Sequence, residues 1–228
     1  VYKPAGMLTQ GVPEGIPTVE GWVKEQLKAK YNKPGNVYLG IPHRLDRPVS
    51  GVIVFARNSK AAKRLAEQFQ QRTVRKEYLC ITEGVPVVPS ERWSDWLLKD
   101  AATAHVTVVS PETPGAKLAT LTYDVIATHA GRALVRVQLE TGRMHQIRVQ
   151  FAERGCPIVG DRQYGATSLF PGDVSESPHP AAIALHAHRL ELSHPIRYDR
   201  VTLVAPPPPL WESLGLPTES LAMAAGGR

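Results

Sequence analysis

Residues 120–139 constrain the fold more than any other stretch. Leu121, Tyr123 and Val125 alternate with Thr120, Thr122 and Asp124, and Val135, Val137 and Leu139 alternate with Arg136, Gln138 and Glu140. A period of two with one apolar face is the pattern of a half-buried strand. The intervening THAGR segment suits a chain reversal, so the two runs are predicted to be antiparallel neighbours. Short apolar runs at 52–55 and 78–81 read as further strands. Two helices are predicted beside them. Thr18 caps one with a stripe of Val19, Trp22, Val23 and Leu27, which puts Trp22 in the core. Asn58 or Ser59 caps the other, with Ala62, Leu65, Ala66 and Phe69 inward and Lys60, Lys63, Arg64 and Glu67 outward. Few helices and no regular strand–helix alternation point to an α+β protein on a largely antiparallel central sheet with flanking helices and loops. Residues 1–228 fit a single domain. Residues 206–209, all proline, are expected as extended surface chain.

The formal net charge is +6, and Arg outnumbers Lys. Such a balance fits a phosphate-bearing partner, because Lys and Arg release condensed counterions from a polyanion, and it fits a merely soluble surface as well. Cys80 and Cys156 lack partners at metal spacing, which argues against a disulfide framework or a Cys-rich zinc site. His186, His188 and His194 lie close in sequence, but the lone H-x-H of His186 and His188 lacks a third ligand at recognisable zinc spacing, so no metal is expected. No apolar run approaches the roughly 20 residues of a membrane span. A cytoplasmic monomer is the expectation. The opening on Val1, VYKPAG, is read as that of a trimmed or processed product, with a removed targeting segment left open. Nucleotide-hydrolysis, dinucleotide, zincin and nucleophile-elbow motifs are missing from the sequence.

Two segments break the periodic pattern. His43-Arg44-Leu45-Asp46-Arg47-Pro48-Val49-Ser50-Gly51 concentrates charge where periodicity gives no reason for it. Two guanidinium groups beside Asp46 would hold its carboxylate ionised and orient its oxygens, which suits a nucleophile. An aspartate tethering its own backbone in a turn is the commoner use of such a residue. Thr141-Gly142-Arg143-Met144-His145-Gln146-Ile147-Arg148 is predicted to start a helix that runs to residue 154, stopped by Gly155, with Ile147 and Phe151 inward. Arg143 then falls in the first turn, where the helix dipole disfavours a cation unless an anion lies nearby. A carboxylate, an RNA phosphate and plain solvent all remain open as its partner.

Taken in order, six segments resemble the RluA family of RNA pseudouridine synthases over nearly the whole chain. They are Lys3-Pro4-Ala5-Gly6, HRLDRPVSG at 43–51, KEYLC at 76–80, ETGRMHQIRVQ at 140–150, CPIVGDRQYG at 156–165 and LHAHRLELSHP at 185–195. The resemblance implies an isomerase acting on uridines of rRNA or tRNA without cofactor or metal. It implies Asp46 as the nucleophile, attacking the sugar's anomeric carbon or carbon 6 of the base, after which the uracil rotates and bonds through carbon 5. Tyr78 would pack on the base and help remove the carbon 5 proton, and Arg143 would pair with Asp46. Arg44 would fill the gap left by the flipped uridine. His43 and Arg47 are expected beside the RNA, and Ile147 or Leu185 against the base.

Val49, Met144 and Gln150 depart from residues common in the family, which puts substrate choice in doubt and removes nothing the chemistry requires. Two other readings stay open. A retaining glycosidase would need a second carboxylic acid about 5 Å from Asp46, with Glu140 the neighbour to test. A catalytically silent RNA-binding module would be expected to lack Asp46 or Tyr78.

Overall fold

A computed structural model describes residues 1–11, 15–173, 181–216 and 220. In chain order its elements are β1 (Tyr2–Lys3), α1 (Val19–Lys30), β2 (Ser50–Val52), α2 (Ser59–Gln70), β3 (Arg75–Glu83), β4 (Ser90–Lys99), β5 (Val106–Val109), β6 (Lys117–His129), β7 (Arg132–Leu139), α3 (Gln146–Glu153), β8 (Leu185–Ser193) and β9 (Arg200–Val204). Among the described residues the strands form one sheet of nine, in the order β1-β2-β8-β3-β7-β6-β4-β5, with β9 also on β8. The pairings are antiparallel except β2 with β8. The architecture is therefore α+β on a largely antiparallel sheet.

The hairpin at its centre follows from the alternation. Leu121 lies opposite Leu139, Tyr123 opposite Val137 and Val125 opposite Val135, so the apolar residues of both strands share one face. Ala130 and Gly131 turn the chain with φ of 47° and 76°, the pair of positive angles that a two-residue hairpin matching the strand twist requires. On the buried face Trp93 and Tyr123 meet Phe151 of α3, with ring centroids 4.7 and 5.7 Å from it.

Thr18 caps α1 by accepting from the Gly21 N–H, and Asn58 caps α2 by accepting from Ala61. Trp22, however, is 52% exposed while Val19 and Val23 are buried. The stripe that packs inward is Val19, Val23 and Leu27, whose centre lies about 100° around the helix from Trp22. On α2, Ala61 joins Leu65 in the core and Ala66 faces solvent. The run at 52–55 contributes only Val52 to a strand, because the Val54 N–H is taken by the His43 ring instead of a ladder carbonyl. Residues 206–208 are extended, and a 3-10 turn, Pro209–Leu214, buries Trp211 behind them.

β2 enters beside β8 at a close approach that only glycine permits. A Cβ on Gly51, at φ 127°, would lie 2.2 Å from the Ala187 carbonyl oxygen. Gly51→Ala is expected to destabilise the protein by about 3 kcal/mol, read from urea denaturation; a loss within about 0.5 kcal/mol would mean the strands part without cost.

Candidate active site

The segment between α1 and β2 that carries Asp46 is pinned on both sides. The Thr9 hydroxyl donates to the Leu45 carbonyl at 3.0 Å and accepts from the Leu45 N–H at 3.3 Å. The Lys3 ammonium is fully buried and donates to the carbonyls of Pro4, Met7 and Arg47. Burial brings its pKa down to about 8, with the charge of Asp46 opposing the shift. Leu45 packs in the core with Val19 and Ile53. With its neighbours fixed, Asp46 presents its carboxylate to a cleft of about 490 Å³.

Each wall of that cleft has a separate origin. Tyr78 comes from β3, where it lies opposite Val137 and Ala187 beside a bulge. Leu185 begins β8 and Ile147 lies in the first turn of α3, both buried. His43 stacks on Phe69 at 4.4 Å, and its Nε2 accepts the Val54 N–H. Burial, then the charges of Lys76 and the N-terminus, lower the His43 pKa to about 3, so the ring is a neutral wall. Burial and then the Asp46 charge push the Tyr78 phenol up, so it stays protonated. A second recess of about 280 Å³ shares Arg44, Asp46, His145 and Arg148 with the first. Asp46 thus sits between two cavities.

Arg148 supplies the carboxylate's cation. Its Nη1 lies 4.0 Å from Asp46 Oδ2. The rest of the guanidinium is committed to Asp161, with Nε and Nη2 donating at 2.6 and 2.7 Å, and Nη2 also donating to Gln163. Burial raises the Asp46 pKa, against the pull of Arg148 and Arg44. The expectation that flanking arginines would keep the carboxyl low is therefore reversed, because desolvation outweighs them.

Two arginines stand elsewhere than expected. Arg47 lies in a turn closed by the Val49 N–H on the Asp46 carbonyl, and from the wall of the second recess its side chain donates to the Gly6 carbonyl rather than to Asp46. Arg143 lines the cleft, but its Nε donates to the Leu118 carbonyl at 2.9 Å rather than pairing with Asp46. It lies before α3 and not in its first turn. The Gln146 amide oxygen accepts from the Thr141 hydroxyl and the Arg143 N–H, and this ring of contacts delays the helix to Gln146. Glu140 is held by Arg92 through two 2.8 Å bonds on an exposed edge, so it does not serve as a second acid for Asp46.

Arg148, Asp161, His145 and Lys76 escaped the sequence reading as site residues. Arg148 carried a signal, a cation next to inward-facing Ile147, which requires a counter-charge. Lys76 donates to the Thr141 carbonyl from the cleft wall, and burial lowers its pKa to about 8.

A family model described as RNA pseudouridylate synthase matches residues 1–153. The chain belongs to that family. Its members are isomerases that convert uridine in RNA to pseudouridine. An uncharacterized RNA pseudouridine synthase of Zymomonas mobilis is 34% identical over 94% of this chain and 92% of that protein. Ribosomal large subunit pseudouridine synthase D of Nitrosomonas europaea is 34% identical over 86% of this chain and 55% of its own length, in keeping with the RluA-type resemblance. RNA pseudouridine synthase 2, chloroplastic, of Arabidopsis thaliana is 36% identical over 78% of this chain, which spans 46% of it. The solved structure of human RNA Pseudouridylate Synthase Domain Containing 4 shares the fold, with a TM-score of 0.75 at 24% identity, covering 95% of this chain and 89% of that one.

A carboxyl whose folded pKa is raised costs stability in full above the folded value; the cost shrinks as pH falls below that value and is gone below the unfolded one. Asp46→Asn is therefore expected to be more stable than wild type at pH 7, with the gain shrinking in acid. Urea denaturation at both pH values checks this, and an Asn variant less stable at pH 7 would contradict it.

Proposed function

We propose that this cleft isomerises specific uridines of rRNA or tRNA to pseudouridine, with Asp46 as the nucleophile and no cofactor. The observation that carries the reading is the Asp46 carboxylate at the cleft floor, with Arg148 Nη1 4.0 Å from Oδ2. Arg44, Arg72, Lys76, Arg143 and Arg148 line the cleft against the single carboxylate of Asp46. Such a mouth favours a polyanion. The volume, about 490 Å³, is that of a small-molecule site and suits one extruded nucleotide.

The target uridine leaves its stack and enters with its base between Tyr78 and the apolar side chains of Ile147 and Leu185. Asp46 attacks the anomeric carbon or base carbon 6, the glycosidic bond breaks, and the uracil turns while the walls exclude water. Carbon 5 then bonds to the sugar, the bond to Asp46 breaks and returns its electron pair to the carboxylate, and carbon 5 gives up its proton. A raised phenol pKa makes Tyr78 a poor phenolate at neutral pH, so its hydroxyl works as a hydrogen-bonding group or passes a proton in concert. Arg44 is exposed at the junction of both recesses, which suits it to fill the gap in the RNA. A silent RNA-binding module has no need of a carboxylate held in a half-buried cleft beside a buried guanidinium.

Incubation with unmodified rRNA and tRNA transcripts, without added cofactor, and site-resolved pseudouridine mapping test the reading. Wild type is expected to make pseudouridine at defined sites and Asp46→Asn none, while RNA binding persists. Tyr78→Phe should lose at least about tenfold in turnover with affinity nearly unchanged. Substantial turnover by Asp46→Asn would remove the nucleophile assignment.

A further inference from the structure

His145 faces the Asp46 carboxylate, yet the reaction drawn above gives it no task. Its Nε2 lies 3.8 Å from Asp46 Oδ2, and its Nδ1 lies 2.8 Å from the Tyr164 hydroxyl. That hydroxyl oxygen also accepts the Val106 N–H at 3.1 Å. With one lone pair so occupied, the phenol donates its proton to Nδ1, its acceptor within reach among the described residues. Donation in the other direction would leave the buried O–H without an acceptor. The tautomer is thereby fixed, with the ring proton on Nε2, on the side of Asp46. Burial, then the Arg148 charge, lowers the His145 pKa to about 3, in keeping with a neutral ring.

The ring's placement is enforced from several sides. His145 holds a left-handed backbone, φ 52° and ψ 20°, which non-glycine residues adopt at a cost. Its ring meets Tyr164 edge-on, with interplanar angle 86°, and Tyr164 in turn stacks on His105. The guanidinium of Arg148 lies over the other part of this cluster, 4.9 Å from the Tyr164 ring.

A separation of 3.8 Å is too long for a direct hydrogen bond, which needs about 2.7–3.2 Å. It leaves a donor and an acceptor close enough that one oxygen, lying to the side of the line between them, comes within hydrogen-bond distance of both. The group that accepts from Nε2–H and donates to a carboxylate at once is a hydroxyl. We propose that His145 Nε2 and Asp46 Oδ2 together grip the ribose 2′-hydroxyl of the target nucleotide, which makes the site selective for RNA over DNA. The inference rests on the uridine-isomerase reading. The 2′-hydroxyl sits on the carbon next to the anomeric one, so a carboxylate presenting one oxygen to the anomeric carbon brings its other oxygen to that hydroxyl. His145 lines both recesses, where such a contact has to be made. The 2′-hydroxyl is the group by which a protein tells the two nucleic acids apart.

The test uses an RNA in which wild type makes pseudouridine, and the same RNA carrying 2′-deoxyuridine at that position. Wild type is expected to lose roughly ten- to hundredfold in kcat/KM on the deoxy substrate, the scale of a hydrogen bond to a charged group. His145→Asn keeps a residue that tolerates the left-handed backbone but falls short of the hydroxyl. It should lose a similar factor on the ribose substrate and little further on the deoxy one. Tyr164→Phe leaves the ring and frees its tautomer, so it should show a smaller loss with the same dependence on the hydroxyl. Equal losses on both substrates for both variants, or a wild type indifferent to the deoxy change, would overturn the proposal. If wild type made no pseudouridine in any RNA, the isomerase reading itself would fall, and the ribose grip with it.

Discussion

Arg148 carries a positive charge into a helix whose first six residues, 146–151, are all buried. The side chain is 2% exposed and that of its partner Asp161 is fully buried. Alone, such a cation would cost several kcal/mol in desolvation, and the same holds for the carboxylate. The fork of two short hydrogen bonds between them offsets that cost, and Gln163 takes another donor. What remains is one nitrogen, Nη1, and it points at Asp46. The pair lets α3 lie against Trp93 and Tyr123 on one side and form the cleft floor on the other. The field at Asp46 is then a balance. Burial raises its pKa, Arg148 and Arg44 lower it, and the charge of Asp161 raises it again. A nucleophile held by a guanidinium that is already shared is less passivated than one in a bidentate pair of its own.

The sheet turns this local balance into a site. β3 brings Tyr78 between β7 and β8, and β8 brings Leu185 beside it. Gly51 lets β2 run against Ala187, which sets the preceding segment over the ends of those strands. Lys3 and Thr9 then tie that segment down from the N-terminal side. The residues that touch the cleft come from distant parts of the chain, from β3, β8 and α3 and from the tied-down segment that carries Asp46.

Much of this was legible in the sequence because period and capping are local signals. The β6–β7 hairpin keeps its alternation until the bulge near Val125, and Thr18 and Asn58 cap where their side chains indicate. Asp46, Tyr78, Ile147, Leu185 and Arg44 were marked by motif resemblance, and the fold gathers them around one cleft. The charge partners were not legible. Arg143 and Arg148 lie in one segment, and the choice between them depends on where α3 begins, which the Gln146 side chain decides. Arg47 adjoins Asp46 in sequence and donates to the Gly6 carbonyl instead. Asp161 and Tyr164 meet α3 and His145 across 13 and 19 residues, a pairing no periodicity announces. Trp22 misled for a simpler reason: an apolar residue at the rim of a stripe satisfies the spacing without entering the core.

The most direct measurement of the central claim is the pH dependence of single-turnover isomerisation for wild type and Arg44→Gln. The attacking carboxylate must be ionised, so the rate is full above the folded pKa of Asp46 and is lost as pH falls through it. Burial raises that pKa, so the acid limb is expected above the ~3.9 of an ordinary aspartate. Arg44→Gln removes a cation that opposes the rise, and should move the limb to higher pH still. A rate that stays flat to below pH ~3.9 in both proteins would contradict a desolvated Asp46 nucleophile.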